Sequence, residues 1–374
     1  MATNFPTSLD ALTNPSGSSS LTSPDHASQH TDANDAIEAL QAKVGVNGSA
    51  VTTSLDYRVG ALESTSAFRN KLINGDFSVN QRGANFIFAF GAFGPDRWRL
   101  FYNSAVSGVP YFYENSPITS FSELQSCKTW RCDVTNMTPH PVNYMYISQR
   151  IEDARTLAGQ TVCLSFYATN FGLVGASLVQ NFGTGGSPSA AVATSLGTIS
   201  TFPASRSQAS VTLPSVQSKN FGTNNDSYLE LRIFFTAGTS SGFYAESGNL
   251  DIQYNNVSIT GVQLERGSVP TTYDKRPPQT ELALCQRYFQ NCTWYGIAGA
   301  DDDYTVNCFG GNYPVRMRTS PSIAVGATVA VGHHSTQPAV EAVNSQSVSF
   351  VWTGSSYRSI GYRVYQTFTA SAEL

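Results

Sequence analysis

Carboxylates and aromatics are the residues of this chain that could carry chemistry. The densest acidic run is Asp301-Asp302-Asp303. Polysaccharide hydrolysis needs two carboxyl groups facing one cleft, about 5 Å or about 6.5–9.5 Å apart, one of them protonated. Three consecutive carboxylates in a loop point in different directions and face solvent. Asp96, Glu123, Asp133, Glu152 and Asp153 are scattered, and no spacing pairs any two of them. The sequence holds no G-x-S-x-G elbow and no phosphate-binding loop. The glycine-rich stretch FGTGGSPSA lacks the lysine and the strand-to-helix setting that such a loop requires. The expectation is a protein that binds and does not catalyse.

Sugar recognition asks for aromatic faces beside amides and carboxylates. The C-terminal part supplies Trp294, Tyr295, Tyr304, Tyr313, Trp352 and Tyr357, of which about half must be core in so small a body. Tyr295, Tyr304 and Tyr357 border turns or polar loops and are the glycan-contact candidates. Six cysteines form no C-x-x-C pair, so reduced thiols are expected, with one bridge such as Cys127–Cys132 as the alternative. Five histidines do not complete a zinc set at finger-like spacing. His26 and His30 read as a surface pair; in a three-fold assembly, copies of one of them could converge on a metal.

The elements that would position these groups follow from composition and periodicity. Charged residues are 13% of the 374 and the net charge is −4, so a protein that wraps nucleic acid through basic excess is excluded. The sequence has no apolar run of spanning length and no visible signal peptide. Residues 1–30 carry Pro6, Pro15 and Pro24 among Ser, Thr and Asn and read as an extended arm, with Phe5, Leu9, Leu12 and Leu21 as pegs for a partner. Residues 31–69 read as short helices. Thr31 or Asp32 is a candidate cap and Gly45 a stop. Ile37, Leu40 and Val44, then Leu55, Val59 and Leu62, form a narrow seam that predicts association of three copies. Such helices are too short to be stable alone.

From 70 to 275 the apolar period becomes two. Val162, Leu164 and Phe166 alternate with Cys163, Ser165 and Tyr167. Leu229, Leu231, Ile233 and Phe235 alternate with Tyr228, Glu230, Arg232 and Phe234. The pattern predicts half-buried antiparallel strands in a jelly-roll-like β-sandwich, with a bulge where the parity slips at Gly261. Residues 276–374 predict a short helix capped by Thr280, with Leu282, Cys285 and Phe289 on one face, and then a smaller β domain. The fold class is therefore mainly β: arm and coiled-coil helices, sandwich, small C-terminal β domain.

The stretches FPTSLDALTNPSG, HTDANDAIEALQAKVGV and SAVTTSLDYRV together resemble the N-terminal region of fibre-type virion proteins of tailed bacteriophages. KLINGDFSVNQRG with the following GPDRW is similar to the opening of a β-sandwich common in those proteins. VSITGVQLERGSVPTTYDKRPPQTELALCQRYF resembles the segment that closes it. The resemblance covers about the first three quarters of the chain. It implies a non-enzymatic fibre assembled as a homotrimer in the host cytoplasm, docked through its arm on tail, neck or capsid proteins and facing a host-surface glycan. A capsid decoration protein, a neck connector and a polysaccharide-degrading enzyme are the alternatives. The NGDF opening and NNVSITGVQLE closure also resemble carbohydrate-binding modules. That resemblance implies no cofactor beyond a structural calcium, for which Asp76, Asp251 and Asn255 would supply oxygens; the other reading is that Asp76 caps a turn.

Overall fold

The structure, a computed structural model, describes residues 26–46, 49–59, 68–83, 90–103, 111–115, 124, 128–133, 140–203, 205–253, 256–298, 306–331, 339–353 and 362–374. The chain divides into two compact units, Met1–Arg69 and Asn70–Leu374.

In the first unit, helix α1 spans His26–Val44, starting five residues before the expected position. A proline restricts the residue before it, so Pro24 does not hinder a helix that begins beyond it. Thr31 is consequently inside the helix and caps nothing; its hydroxyl donates to the Ala27 carbonyl at 3.0 Å. Gly45 ends α1 at φ +85°, where its amide donates to Gln41 O at 2.8 Å. A second helical stretch occupies 55–59. Its cap is Ser54, whose hydroxyl accepts from the Tyr57 amide at 3.2 Å.

The second unit holds two β bodies. The strands of the larger are β1 (Arg99–Tyr102), β2 (Tyr111–Asn115), β3 (Thr129–Asp133), β4 (Tyr144–Glu152), β5 (Thr161–Ala168), β6 (Gly172–Asn181), β7 (Val192–Thr201), β8 (Arg206–Thr212), β9 (Tyr228–Ala237) and β10 (Asn256–Arg266). The first sheet runs β1-β4-β9-β6-β7 and the second β2-β3-β10-β5-β8. All their pairings are antiparallel, as a jelly-roll-like sandwich requires. β5 contains the whole alternating run from Val162 to Tyr167 that predicts a strand. The predicted bulge is present as well: the β10–β5 register shifts between Thr260 and Gln263, with Gly261 at φ +58°. Ile147, Leu229, Leu231 and Ile233 from the first sheet meet Leu164, Phe166, Ile259 and Leu264 from the second in one buried core. Each such side chain contributes roughly 1.5–3 kcal/mol by leaving water. Phe77, Trp98 and Trp130 close one part of that core edge to face, Phe77 lying 5.3 Å from Trp98 and 5.7 Å from Trp130.

Strands β5 and β9 are buried on both faces, not half-buried. Their outward residues are covered by other parts of the chain. Over β5 and β10 lies the strap 267–274. Glu265 accepts from the Thr271 amide (2.9 Å) and hydroxyl (2.6 Å), and Arg206 donates to Ser165 Oγ (2.7 Å) and to the Thr271 carbonyl. Over β9 lies the loop 241–250.

Helix α2 (Pro278–Gln286) leads into the smaller body. It begins at Pro278 and not at Thr280, because a proline with fixed φ suits the first helical position, and it has no side-chain cap. Cys285 is fully buried on it, whereas Phe289 has already left the helix and begins a strand. The strands here are β11 (Phe289–Ala298), β12 (Val306–Asn312), β13 (Ser322–Val331), β14 (Ala339–Val343), β15 (Ser347–Thr353) and β16 (Tyr362–Ser371), in two sheets ordered β11-β16-β13 and β12-β15-β14. Their core is built around Trp294, Phe350 and Phe368, with ring centroids 4.9–6.1 Å apart.

The residues of KLINGDFSVNQRG and GPDRW join the two bodies. Trp98 Nε1 donates to Asn74 O at 2.9 Å, and the Asn74 amide donates to Glu281 on α2. Gln81 Nε2 donates to Phe289 O at 2.8 Å. Arg97 and Arg82 both bind the Glu373 carboxylate, Arg82 at 3.0 Å. Arg287 and the Tyr288 hydroxyl bind Glu152 at 2.8 and 2.6 Å.

Candidate functional site

The strap covers the outer side of β5 and β10 in the second sheet. On the outer face of the first sheet the loop 241–250 lies over β9, while Arg99, Phe101, Tyr144 and Arg150 stay partly exposed, and the residue types form ordered rows across the strands. Successive side chains of a strand alternate between faces, so one parity of β4 and β9 builds this surface. Pairing sets Phe101 (β1) opposite Tyr146 (β4), Tyr146 opposite Phe234 (β9), and Phe234 opposite Gly175 (β6). The next row is Arg99, Ser148, Arg232 and Ser177; beyond it come Arg150, Glu230 and Val179.

The aromatic row is a stack. Phe101 and Tyr146 lie 5.0 Å apart at 20°, and Tyr144 and Tyr146 6.0 Å apart at 24°. Phe243, from the covering loop, closes on Tyr144 at 4.6 Å and on Tyr146 at 5.4 Å. Tyr146 and Phe234 are buried, while Phe101, Tyr144 and Phe243 keep part of their rings in solvent. Phe90 adds a ring 5.3 Å from Phe101 that is 59% exposed. The loop reaches the sheet because Gly175 has no side chain: a Cβ there would stand 2.2 Å from Ser247 O.

The polar rows are held by one cation. Arg232 donates to Glu230 (2.8 and 3.0 Å) and to Glu246 (2.9 and 3.2 Å). Ser148 donates to Glu230 at 2.9 Å and Ser177 to Glu246 at 2.7 Å. Burial by itself would lower the Arg232 guanidinium, but the two carboxylates outweigh it and hold it above its ordinary value. Burial pushes the Tyr146 and Tyr228 phenols up, so both remain neutral donors. Arg150 reaches Glu230 at 3.4 Å, covers the Tyr228 ring at 4.2 Å, and is partly exposed. The surface therefore offers rings for stacking, guanidinium donors from Arg99 and Arg150, and polar groups already locked in place.

The residues singled out in the sequence lie elsewhere. Tyr304 and Tyr357 fall outside the described residues, and Tyr295 is placed only by its backbone, which pairs with Tyr365 across β11 and β16. Phe5, Leu9, Leu12, Leu21 and Leu62 also fall outside them. Ile37, Leu40 and Val44 stand in a line along α1 and are 46–53% exposed; Leu55 and Val59 are 46% and 50% exposed. Of the calcium candidates, Asn255 is not among the described residues. Asp76 Oδ1 accepts from the amide and hydroxyl of Ser78 at 3.3 and 2.8 Å, as a turn cap does. Asp251 accepts from Tyr244. Among the described residues no group of three or more His, Cys, Asp or Glu is placed to hold a metal ion.

The outer-face site was missed although its signal was in the sequence. Tyr144, Tyr146, Ser148 and Arg150 share one parity, as do Tyr228, Glu230, Arg232 and Phe234. Alternation assigns both sets to an outer face, but only the β4–β9 pairing makes them one surface.

No protein-family model matches this chain. No curated protein matches it. Among solved structures it is similar to the enzymatically active domain of bacteriophage CBA120 tailspike protein 4, with 14% identity over 54% of this chain and a TM-score of 0.30. The match spans only 22% of that tailspike domain. It is also similar to the xylan-binding domain CBM22-2 of Paenibacillus barcinonensis Xyn10C (14% identity, 47% of this chain and 94% of that one, TM-score 0.26). A third is the family 11 carbohydrate-binding module of Clostridium thermocellum, solved with a mixed-linked tetrasaccharide (6% identity, 50% and 99%, TM-score 0.28).

Proposed function

We propose that this protein binds a glycan on the outer face of its first sheet and serves as a non-enzymatic fibre of a tailed-bacteriophage virion. The observation that carries the binding half is the row of stacked rings, Phe101, Tyr146 and Tyr144 with Phe243, beside a row of arginines and locked carboxylates. A pyranose presents apolar C–H faces and a rim of hydroxyls, and it is recognised by this combination of ring stacking and fixed hydrogen-bonding groups. The carboxylates here serve to position: Glu230 and Glu246 are tied to the same guanidinium and do not face each other across a cleft. That arrangement supports a binder over a hydrolase.

The virion half rests on the N-terminal and sandwich-flanking stretches and on the helical unit. An apolar line on α1 that stays about half exposed favours burial against sister copies, which is how a fibre reaches three-fold symmetry. Several weak glycan sites on one particle then gain by avidity. The binding half is tested on arrays of bacterial surface polysaccharide and oligosaccharides, comparing the wild-type chain with Tyr144→Ala and Arg150→Ala. Retained binding in both variants refutes the assignment. New reducing ends in the incubated glycan would refute the non-enzymatic reading. Locating this chain in images of whole particles tests the fibre role, and density on the capsid shell would replace it with decoration.

A further inference from the structure

A cavity of about 400 Å³ opens between residues 76–81 and residues 273–282. That volume falls within the roughly 300–1,000 Å³ range of small-molecule sites. We propose that it is a second saccharide-binding site, one that takes a neutral mono- or disaccharide, separate from the ring-lined face of the first sheet.

Both walls are fixed before any ligand arrives. On one side the turn at Asn74–Val79 is held by the Asn74 side chain, which donates to Val79 O (2.8 Å) and Asp96 O (2.9 Å) and accepts from the Val79 amide (2.9 Å). The turn is anchored to β10 where the Val262 amide donates to Gly75 O at 2.9 Å. On the other side Arg276 donates to Leu72 O at 3.0 Å and to Glu281 at 3.2 and 3.3 Å, and the Asp274 amide donates to Gln263 at 2.8 Å. A preformed wall loses little entropy on binding.

The lining selects the ligand. Val79, Tyr273 and Leu282 give an apolar flank for the C–H face of a sugar ring. Asp76, Ser78 and Lys275 bring a carboxylate, a hydroxyl and an exposed ammonium to the lining, the Ser78 hydroxyl donating to Asp76 at 2.8 Å. Formal charges cancel across the cavity: Arg276 is matched by Glu281, and Lys275 by Asp76. A strongly anionic ligand would meet two carboxylates and a cationic one would meet two cations, which leaves a neutral polyhydroxylated molecule as the best fit.

Ligand-observed saturation-transfer NMR on the full chain tests this, with methyl glucoside, methyl galactoside, N-acetylglucosamine, maltose and lactose at millimolar concentration as probes. The expected result is saturation of at least one sugar by the wild-type chain and by Tyr144→Ala, and its loss when Leu282→Trp, which plugs the cavity, is added to Tyr144→Ala. Lys275→Trp is the second plug, at an exposed position where folding is not at stake, and in the Tyr144→Ala background it too should abolish the signal. Both plugged variants are checked for wild-type melting. Saturation that survives Lys275→Trp in the Tyr144→Ala background, or that disappears in Tyr144→Ala alone, overturns the proposal. So does a wild-type chain that saturates none of the probes. Because Tyr144→Ala reports only on the first sheet, failure of the cavity and failure of the proposed glycan face give different patterns.

Discussion

Replacing Glu373 with Ala tests whether the two β bodies behave as one unit. The Glu373 carboxylate is the shared partner of Arg97 and Arg82, and the side chains of Arg97, Glu373 and Arg82 are 2%, 8% and 14% exposed. Removing one partner of a buried ion pair leaves an uncompensated charge and costs about 3–5 kcal/mol. Here some of that is retained. Arg97 still donates to Arg150 O at 2.6 Å and still covers the Tyr288 ring at 3.4 Å. Arg82 keeps Asp96 at 3.4 Å and the Phe289 ring at 3.7 Å. The expected loss is therefore below that range, about 2–3 kcal/mol. For a unit of this size each 1 kcal/mol moves the melting point by roughly 2–4 °C, so Glu373→Ala should melt about 5–10 °C lower in calorimetry. The double variant Arg97→Met with Glu373→Leu removes both charges and should recover most of the loss. A Glu373→Ala chain that melts with the wild type refutes the reasoning, as does a double variant worse than the single one.

Four other outcomes are expected. Ile37→Ser with Leu40→Ser should yield monomers in sedimentation where the wild-type chain sediments as the proposed trimer, and a variant that stays trimeric removes α1 from the assembly. Gly175→Ala should weaken glycan binding on the array, because its Cβ would push Ser247, and with it Phe243, off the sheet; unchanged binding shows that the loop does not shape the site. Cys163 and Cys292, whose thiols burial pushes up to about 11, and Cys285, pushed well above its ordinary value, should escape iodoacetamide in the native chain at mildly alkaline pH; peptide mass mapping reads this directly. Burial alone would raise the Glu152 carboxyl, but hydrogen bonds from Arg287 and Tyr288 outweigh it and hold it below its ordinary value of 4.5. Its contribution is thus present above that value and lost as pH falls through the lowered one, so Glu152→Gln should melt below wild type near neutrality and converge with it in acid.

Much of the larger body was legible from period alone. β5 and β9 announce themselves by strict alternation, and in β10 Gly261 marks the bulge because two apolar parities meet there. Other strands were not legible. β6 reads Gly172–Asn181 with apolar residues on both parities, and β7 is largely Ser, Thr and Gly, so neither shows a clean period of two. β14, Ala339–Val343, is an edge strand exposed along its whole length, and such a strand has no burial pattern to imprint on its sequence. Helix starts were misplaced for a related reason. The apolar stripe of α1 begins at Ile37, so the turns before it, rich in Ala, Ser and His, carried no periodic signal. The site was the hardest part, because its rows run across strands far apart in the chain: Phe101, Tyr146 and Phe234 become neighbours only once β1, β4 and β9 are paired.

The same pairings bear on why conspicuous sequence motifs and the site fall in different places. The NGDF and GPDRW residues are spent on closing the molecule: Asn74 holds Trp98 and Glu281, Asp96 holds Gln81 and Arg82, and Arg97 holds Glu373. Each makes several bonds to distant segments at once, so substitutions there act on folding before they act on any ligand. The ring row has fewer obligations. Tyr144 and Phe243 touch mainly each other and their neighbours on the same face, so their identity can change, and with it the proposed sugar specificity, while the sandwich stays closed. Arg232 marks the boundary between the two regimes, since it locks Glu230 and Glu246 and also lies 5.5 Å from the Tyr146 ring. Losing Arg232 would strip both carboxylates of their shared cation and loosen the floor beneath the rings. Substitutions at Tyr144 and Phe243 should therefore retune the proposed glycan binding at little cost in stability, whereas substitutions at Arg232 should cost that binding and folding together.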